Sequence, residues 1–351
     1  HGVKRGQHDR NIWAKNFRYE ITKKPNLPII KQSVNLELTN HELPKFFYDS
    51  TPCPYRQKGG SVEAEKLLQS FLNKRGENYQ FEMSSPITAE KSCSRLSTHL
   101  TYGTISHRAV FQEATKKRDQ IKHTNKNFAK SINSFLSRLH WRSHFIQKLE
   151  DQPSIEHTSF IPVYDQIREK DEEKLEAWIE GKTGVHFIDA CMIYLRNYGW
   201  INFRMRAMLA SFASYNLWLD WRYFAPRLAA LFTDFEPGIH YSQIQMQSGT
   251  TGINTIRMYN PYKQAMDQDP HGKFIKSQIP EVKNFPPAFF HNPPKKSLNV
   301  NLFDNEVQKE IINVKETAQY ARKKIFDIRK SQEHKILAKN VYLKHGSRGR
   351  S

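Results

Sequence analysis

The chain has 351 residues, 38% of them hydrophobic, enough to bury a sizeable core in one large unit or two smaller ones. Its 54 Lys and Arg against 35 Asp and Glu leave a formal charge of +19, an excess that favours a polyanionic partner, nucleic acid first. No apolar run reaches the roughly 18 residues of a membrane span, and the spacing of the three cysteines (Cys53, Cys93, Cys191) argues against a disulfide framework, a structural zinc site or a four-cysteine iron–sulfur cluster. The chain starts at His1 without the apolar stretch of a signal peptide, so the expectation is a soluble protein of a reducing, cytoplasmic compartment that lacks an N-terminal part.

Residues 1–60 carry scattered prolines and few periodic apolar positions, the pattern of a wrapping arm or linker. A helical domain over 61–300 and a C-terminal helix with a basic tail over 301–351 follow. Ala64, Leu67, Leu68 and Phe71 recur at helical spacing until Gly76 stops them. A polar loop, 83–94, leads to Leu96 and Leu100. Helical patterns resume over 106–121 and 131–149. Residues 165–180 mix charges as a solvated helix does, with Leu175 and Trp178 turned inward. Gly181, Gly184 and Gly199 punctuate before helices over 187–198 and 201–214, and another covers 220–232. Residues 239–262 read as loop around short helical pieces, and the proline-rich 280–294 as extended chain. A last helix spans 305–330. No βαβ alternation is present, so the fold class is mainly α.

Five constellations invite a chemical reading. The GKTG run at Gly181–Gly184 has Glu176 where a phosphate loop needs glycine, and reads as a helix-start turn. His140 and His144 lie four apart, but Trp141 stands where a zinc-protease motif has glutamate, which favours core or surface roles over metal. The run Ser92–Ser97 gathers hydroxyls and one arginine at a loop-to-helix boundary, suited to a phosphate or to capping alone. Arg142, Arg204 and Arg206 place cations inside apolar helices, where each needs an acid or an anionic ligand; Asp234 and Glu236 are the natural acids. Trp200, Trp218 and Trp221 fall close together, as core packing or as an electron relay.

Taken together, SCSRLSTHLTYGTIS, HWRSHFIQKLE, WIEGKTGVHFIDACMIYLRNYGWINFRMRAMLASF, LWLDWRYFAPRLAALFTDFEPG and the R-x-(aromatic)-N-P turn with its D-P-x-G-x-[FY]-I run resemble the photolyase/cryptochrome family from about Tyr79 to Pro280. The resemblance implies a helical domain holding FAD in a folded form. By position, Tyr79 would brace the cofactor, and Cys93, Ser94, Arg95, Leu96 and Ser97 would hold its phosphates. Trp141 and Arg142 would line the cleft, with Arg142 reaching the cofactor. Arg206 and Asp234 would pair beside the isoalloxazine, Glu236 would face the ribityl–adenine region, and His240 would sit beside flavin N5. Trp141, His240 and Trp221 form the expected catalytic set, and no metal is expected.

The departures lie around the same site. Arg138 replaces a glutamate, Phe203 an asparagine and Ala207 a methionine, and Ile244 and Met246 replace two tryptophans. No counterpart of the family's N-terminal antenna domain is expected on this chain. The resemblance therefore implies a blue-light-driven flavoprotein, a photolyase acting on UV-damaged DNA or, in the alternative, a cryptochrome-like photoreceptor without repair; a light-independent nucleic-acid scaffold is a third reading. An ordinary imidazole at His240 would change charge between about pH 6 and 8 and so set the flavin's redox state. The C-terminal residues 318–351, with ten Lys or Arg against two acids, would bind DNA phosphates as a tail.

Overall fold

The structure, a computed structural model, describes residues 10–24, 52–292 and 308–345. Among them the chain is helical, with one isolated bridge between Glu169 and Leu219 in place of any sheet. No helix among the described residues is long and apolar enough to cross a membrane.

Among the described residues two large cores organise the molecule, with a smaller third cluster around Ile161, Tyr164, Tyr215, Ala321 and Ile325. The first is built by α2 (Ser61–Ser70), α3 (Tyr79–Glu82), α4 (Pro86–Ser92), α5 (Ser97–Thr101), α6 (His107–Ile121) and α7 (Lys126–Asp151). Caps set the starts: Ser85, Ser106 and Asn125 accept hydrogen bonds from the first turns of α4, α6 and α7. On α7 the apolar stripe Phe128, Ile132, Phe135, Leu136 and Leu139 turns to Leu68, Phe71, Leu96 and Val110, the helical period expected from sequence. Each such side chain contributes about 1.5–3 kcal/mol when fully buried.

The second core holds α8 (Glu172–Glu180), α9 (His186–Tyr198), α10 (Phe203–Ser211), α11 (Trp221–Ala230), α12 (Pro237–Ser248), α13 (Pro261–Gln268), α14 (Lys273–Gln278) and α15 (Pro287–His291). The GKTG run is a helix-start turn: Asp189 accepts from the amides of Thr183 and Gly184 and from the Thr183 hydroxyl. Helix α12 joins the two cores, packing on α7, α10 and α11. Gly238 permits this approach, because a Cβ there would lie 2.6 Å from the Ile146 Cα of α7.

Several expectations are corrected. The first part of 239–262, expected as loop around short helical pieces, belongs to α12, opened by Pro237 and closed by Gly249 in the left-handed region. Its buried face is polar, which hid the period. Gln245 is fully buried and satisfied, donating to the carbonyls of Ile155 and Thr158 and accepting from the Phe160 amide. The 165–180 helix starts only after Asp171, which caps it, because Arg168 turns inward to donate to the Ser214 and Ser248 carbonyls. In the proline-rich segment α15 buries Phe290, and Phe285 before it is also buried.

The C-terminal region is not a tail as far as residue 345. After α16 (Val314–Lys330), α17 (Gln332–His345) folds back; His334 accepts from or donates to the Tyr164 hydroxyl at 2.9 Å, and His345 meets Gln152. Residues 346–351 lie outside the described residues. Within the N-terminal arm, α1 (Arg10–Ile21) lays Trp13 and Phe17 on His140, with His144 against Trp13 and Phe111 against Phe17.

Candidate cofactor site

Helix α5 is short and central. The segment Cys93–Leu96 enters it, and no side chain caps its first turn. From its other end Thr101 Oγ1 donates to the Asp234 carbonyl at 3.5 Å, and the Thr98 and Thr233 hydroxyls lie 3.4 Å apart. Arg142, on α7, donates through Nη2 to the Leu100 carbonyl at 3.2 Å and to Glu236 at 3.0 Å. The loop before α5 and the 233–236 segment therefore border one small helix.

Arg206 completes this side. Its Nε donates to the Ile201 carbonyl at 2.6 Å, while Nη1 and Nη2 meet the two Asp234 carboxylate oxygens at 2.9 Å each. Such a two-point pair fixes the guanidinium plane. Asp234 has only 3% of its side chain exposed, against 25% for Arg206, so the arginine keeps an open face. One turn into α12, His240 is buried among Phe232, Phe235 and Tyr241. Its Nε2 lies 2.9 Å from the Ala225 carbonyl. A carbonyl can only accept, so Nε2 carries the proton and Nδ1 keeps a lone pair. Burial, the larger cause, and Arg206 push the imidazole down to about 4, against the smaller upward pulls of the Ala225 bond and Asp234. The charge switch expected at His240 near neutral pH is thus corrected: the ring is neutral there, because dehydration outweighs the nearby carboxylate.

At the other end, Arg95 adopts a left-handed backbone, φ 62°, uncommon for a residue with a Cβ. Its carbonyl accepts from Gln57 Nε2 at 2.9 Å, and its guanidinium stacks 3.9 Å from the centre of the Trp200 ring. Burial raises the Cys93 thiol to about 12 and keeps it protonated. Leu96 is fully buried in the first core. Tyr79 is buried against Phe71 and Phe135, its hydroxyl also raised to about 12 by burial.

A match over residues 135–339 to the family described as the FAD binding domain of DNA photolyase covers more than half of the chain. The chain belongs to that family.

A photolyase-family relative, the deoxyribodipyrimidine photo-lyase of Streptomyces griseus, is 30% identical over 243 residues, 69% of this chain and 50% of its own. The solved photolyase of Sulfolobus tokodaii, described as carrying two FAD molecules, is 30% identical, with a TM-score of 0.62 over 77% of this chain and 57% of that one. A Synechocystis cryptochrome shares the fold at a TM-score of 0.76 and 21% identity, over 90% of this chain and 67% of its own. The chain spans about half the length of the curated relatives it matches.

The structure places the remaining family positions as follows. Trp141, one residue before Arg142, is partly buried, stacked on Phe145 and edge-on to His144. Trp221 is buried and donates from Nε1 to the Ser159 hydroxyl at 2.9 Å; its ring lies 6.4 Å from that of Tyr241, which lies 5.2 Å from His240. Phe203 is half exposed, Arg138 is exposed, and Ala207 and Ile244 are buried. Sequence reading missed Arg75, Gln57, Thr98 and Thr101. Each acts through backbone carbonyls or a neighbour distant in the chain, for which no local pattern exists.

Proposed function

We propose that the chain is the flavin-holding part of a light-driven photolyase that acts on UV-damaged DNA. FAD would lie along α5. Cys93, Ser94, Arg95, Leu96 and Ser97 would face its diphosphate, Tyr79 would brace it, and Arg142, Arg206, Asp234, Glu236 and His240 would take the flavin and ribityl side. When bound, FAD supplies light absorption and the transferable electron.

The observation that carries the reading is the buried Asp234 held at two points by Arg206 beside a neutral His240. The donor set also fits. Three guanidiniums, Arg95, Arg142 and Arg206, meet only two carboxylates, and the buried Arg95 Nη1 has no protein partner. An anionic ligand satisfies that excess. Asp234 fixes Arg206, Glu236 orients Arg142, and His240 presents Nδ1 as an acceptor able to hold a flavin N–H proton. Phe232, Phe235 and Tyr241 keep water from that proton. Trp221, through Tyr241, would supply the flavin's reducing electron, and Trp141 would face the damaged base.

A thymine-dimer oligonucleotide under blue light, assayed beside flavin photoreduction, tests this. Light-dependent loss of the dimer is expected; photoreduction without dimer loss would instead favour the photoreceptor reading.

A neutral His240 gives a pH prediction. The bound-flavin spectrum should stay constant between about pH 6.5 and 8, above both the folded value near 4 and the ordinary value near 6.5. His107 and His186 are likewise pushed down to about 4 by burial. In the unfolded chain all three bind protons more readily than in the fold, so stability is full above about 6.5 and falls as pH drops toward 4. Thermal melts from pH 8 to 4 read this; a flavin spectrum titrating near pH 7 that His240→Asn abolishes would contradict it.

A further inference from the structure

Arg75 lies outside every motif, yet it reaches more of the phosphate-side loop than any residue of the loop itself. The π-helical stretch Phe71–Arg75 that ends α2 delivers it there. Nη1 donates to the carbonyls of Lys91 at 2.8 Å and Cys93 at 2.6 Å. Nη2 donates to those of Leu67 at 3.1 Å and Ser94 at 3.3 Å, and Nε to the Ser70 hydroxyl at 2.9 Å. The Lys91 contact alone would be an ordinary cation at the end of α4. The Cys93 and Ser94 contacts are different, because they lie beyond the helix.

In a trans peptide the C=O of one residue and the N–H of the next point in opposite directions. With the Cys93 and Ser94 carbonyls drawn to Arg75, the Ser94 and Arg95 N–H groups must point away from it. Neither takes a protein acceptor among the described residues. Gln57 steadies the next peptide: its Nε2 holds the Arg95 carbonyl, its Oε1 accepts from Arg95 Nε at 3.3 Å, and the Leu96 N–H of that peptide donates to the Ser94 hydroxyl at 3.4 Å. Among the described residues no carboxylate pairs with Arg75 or Arg95, and the two guanidiniums lie near enough that Arg95 helps to lower the Arg75 value, after burial. The buried Arg95 Nη1 remains without a partner.

We infer that Arg75 is a positioning residue that turns the Ser94 and Arg95 amides toward the cofactor's diphosphate and makes the site select flavins that carry one, while Gln57 steadies the same loop through the Arg95 carbonyl and guanidinium. This rests on the FAD reading above. A guanidinium is required because several carbonyls are held at once; the single ammonium of lysine cannot reproduce the fork.

The test uses the full chain stripped of flavin, with Kd measured for FAD and for riboflavin, which has no phosphate. Arg75→Lys and Arg75→Gln should each weaken FAD about tenfold to a hundredfold, the loss of one or two charge-assisted hydrogen bonds. Riboflavin affinity should stay within about twofold, since the lost contacts are to phosphate. Gln57→Leu, at a residue outside either core, should weaken FAD less and leave riboflavin alone; it keeps the test decisive if the Arg75 variants fail to melt cooperatively. Equal losses of both flavins would mean a merely structural role and overturn the proposal. So would wild-type FAD affinity in Arg75→Lys, or unchanged FAD affinity in Gln57→Leu where the Arg75 variants do not fold. A wild-type chain that binds neither flavin would overturn the FAD reading, and this proposal with it.

Discussion

Arg206→Ala is expected to leave the purified protein nearly colourless. The substitution removes both hydrogen bonds to Asp234 and the one to the Ile201 carbonyl. It strands a carboxylate with 3% of its side chain exposed. Breaking a buried pair by deleting one partner costs about 3–5 kcal/mol, mostly the unpaired charge, and the part-open arginine puts this case toward the low end. Asp234 borders α5 through Thr101, so its displacement also loosens the loop that would hold the diphosphate. Asp234→Asn keeps the shape and removes the charge. It should therefore retain more flavin than Arg206→Ala, and Arg206→Lys should fall between them. The flavin-to-protein absorbance ratio, read with the melting temperature of each apo form, separates a lost ligand from a lost fold. Full flavin content in Arg206→Ala would remove the ion pair from the site.

Much of this site was legible as residues, and little of it as physics. Arg206 and Asp234 stand out because a cation inside the apolar run Met205, Met208, Leu209 needs an acid, and the pair is found in two-point contact. Helix α9 followed from its period, and the turn before it from its glycines. Helix α12 did not, because its buried positions include the polar Gln245 and Ser248, satisfied by groups distant in the chain. The protonation of His240 was illegible for the same reason. Its value follows from burial and from the Ala225 carbonyl, both products of packing α11 on α12. Arg75 had no signal at all, since carbonyls carry no sequence signature. The basic C-terminus looked like a tail because its ten Lys and Arg against two acids dominate residues 318–351, yet Ala321, Ile325 and His334 were enough to seat two helices.

That last correction reshapes the test of DNA binding. Deleting residues 331–351 would expose Tyr164 and the third cluster around Ile161, Tyr215 and Ile325, so a loss of binding would say nothing about charge. Lys323, Lys335, Lys339 and Lys344 are exposed on α16 and α17 and among the described residues none pairs with an acid, so Lys→Gln at all four should leave the fold and FAD content unchanged. If these lysines meet phosphates, each contributes about 0.9 to the slope of log affinity against log salt on duplex DNA and about 0.7 on single strands. The quadruple variant should then flatten the slope by up to about 3.6 on duplex and weaken binding most in low salt. Discrimination between UV-damaged and undamaged duplex should persist, because phosphate contacts position a protein on DNA whereas damage is read at the base. Binding of both duplexes across a salt series, wild type against variant, reads all of this. Unchanged slopes would confine the positive charge to solubility, and a variant that lost discrimination but kept its slope would place α16 and α17 at the lesion instead.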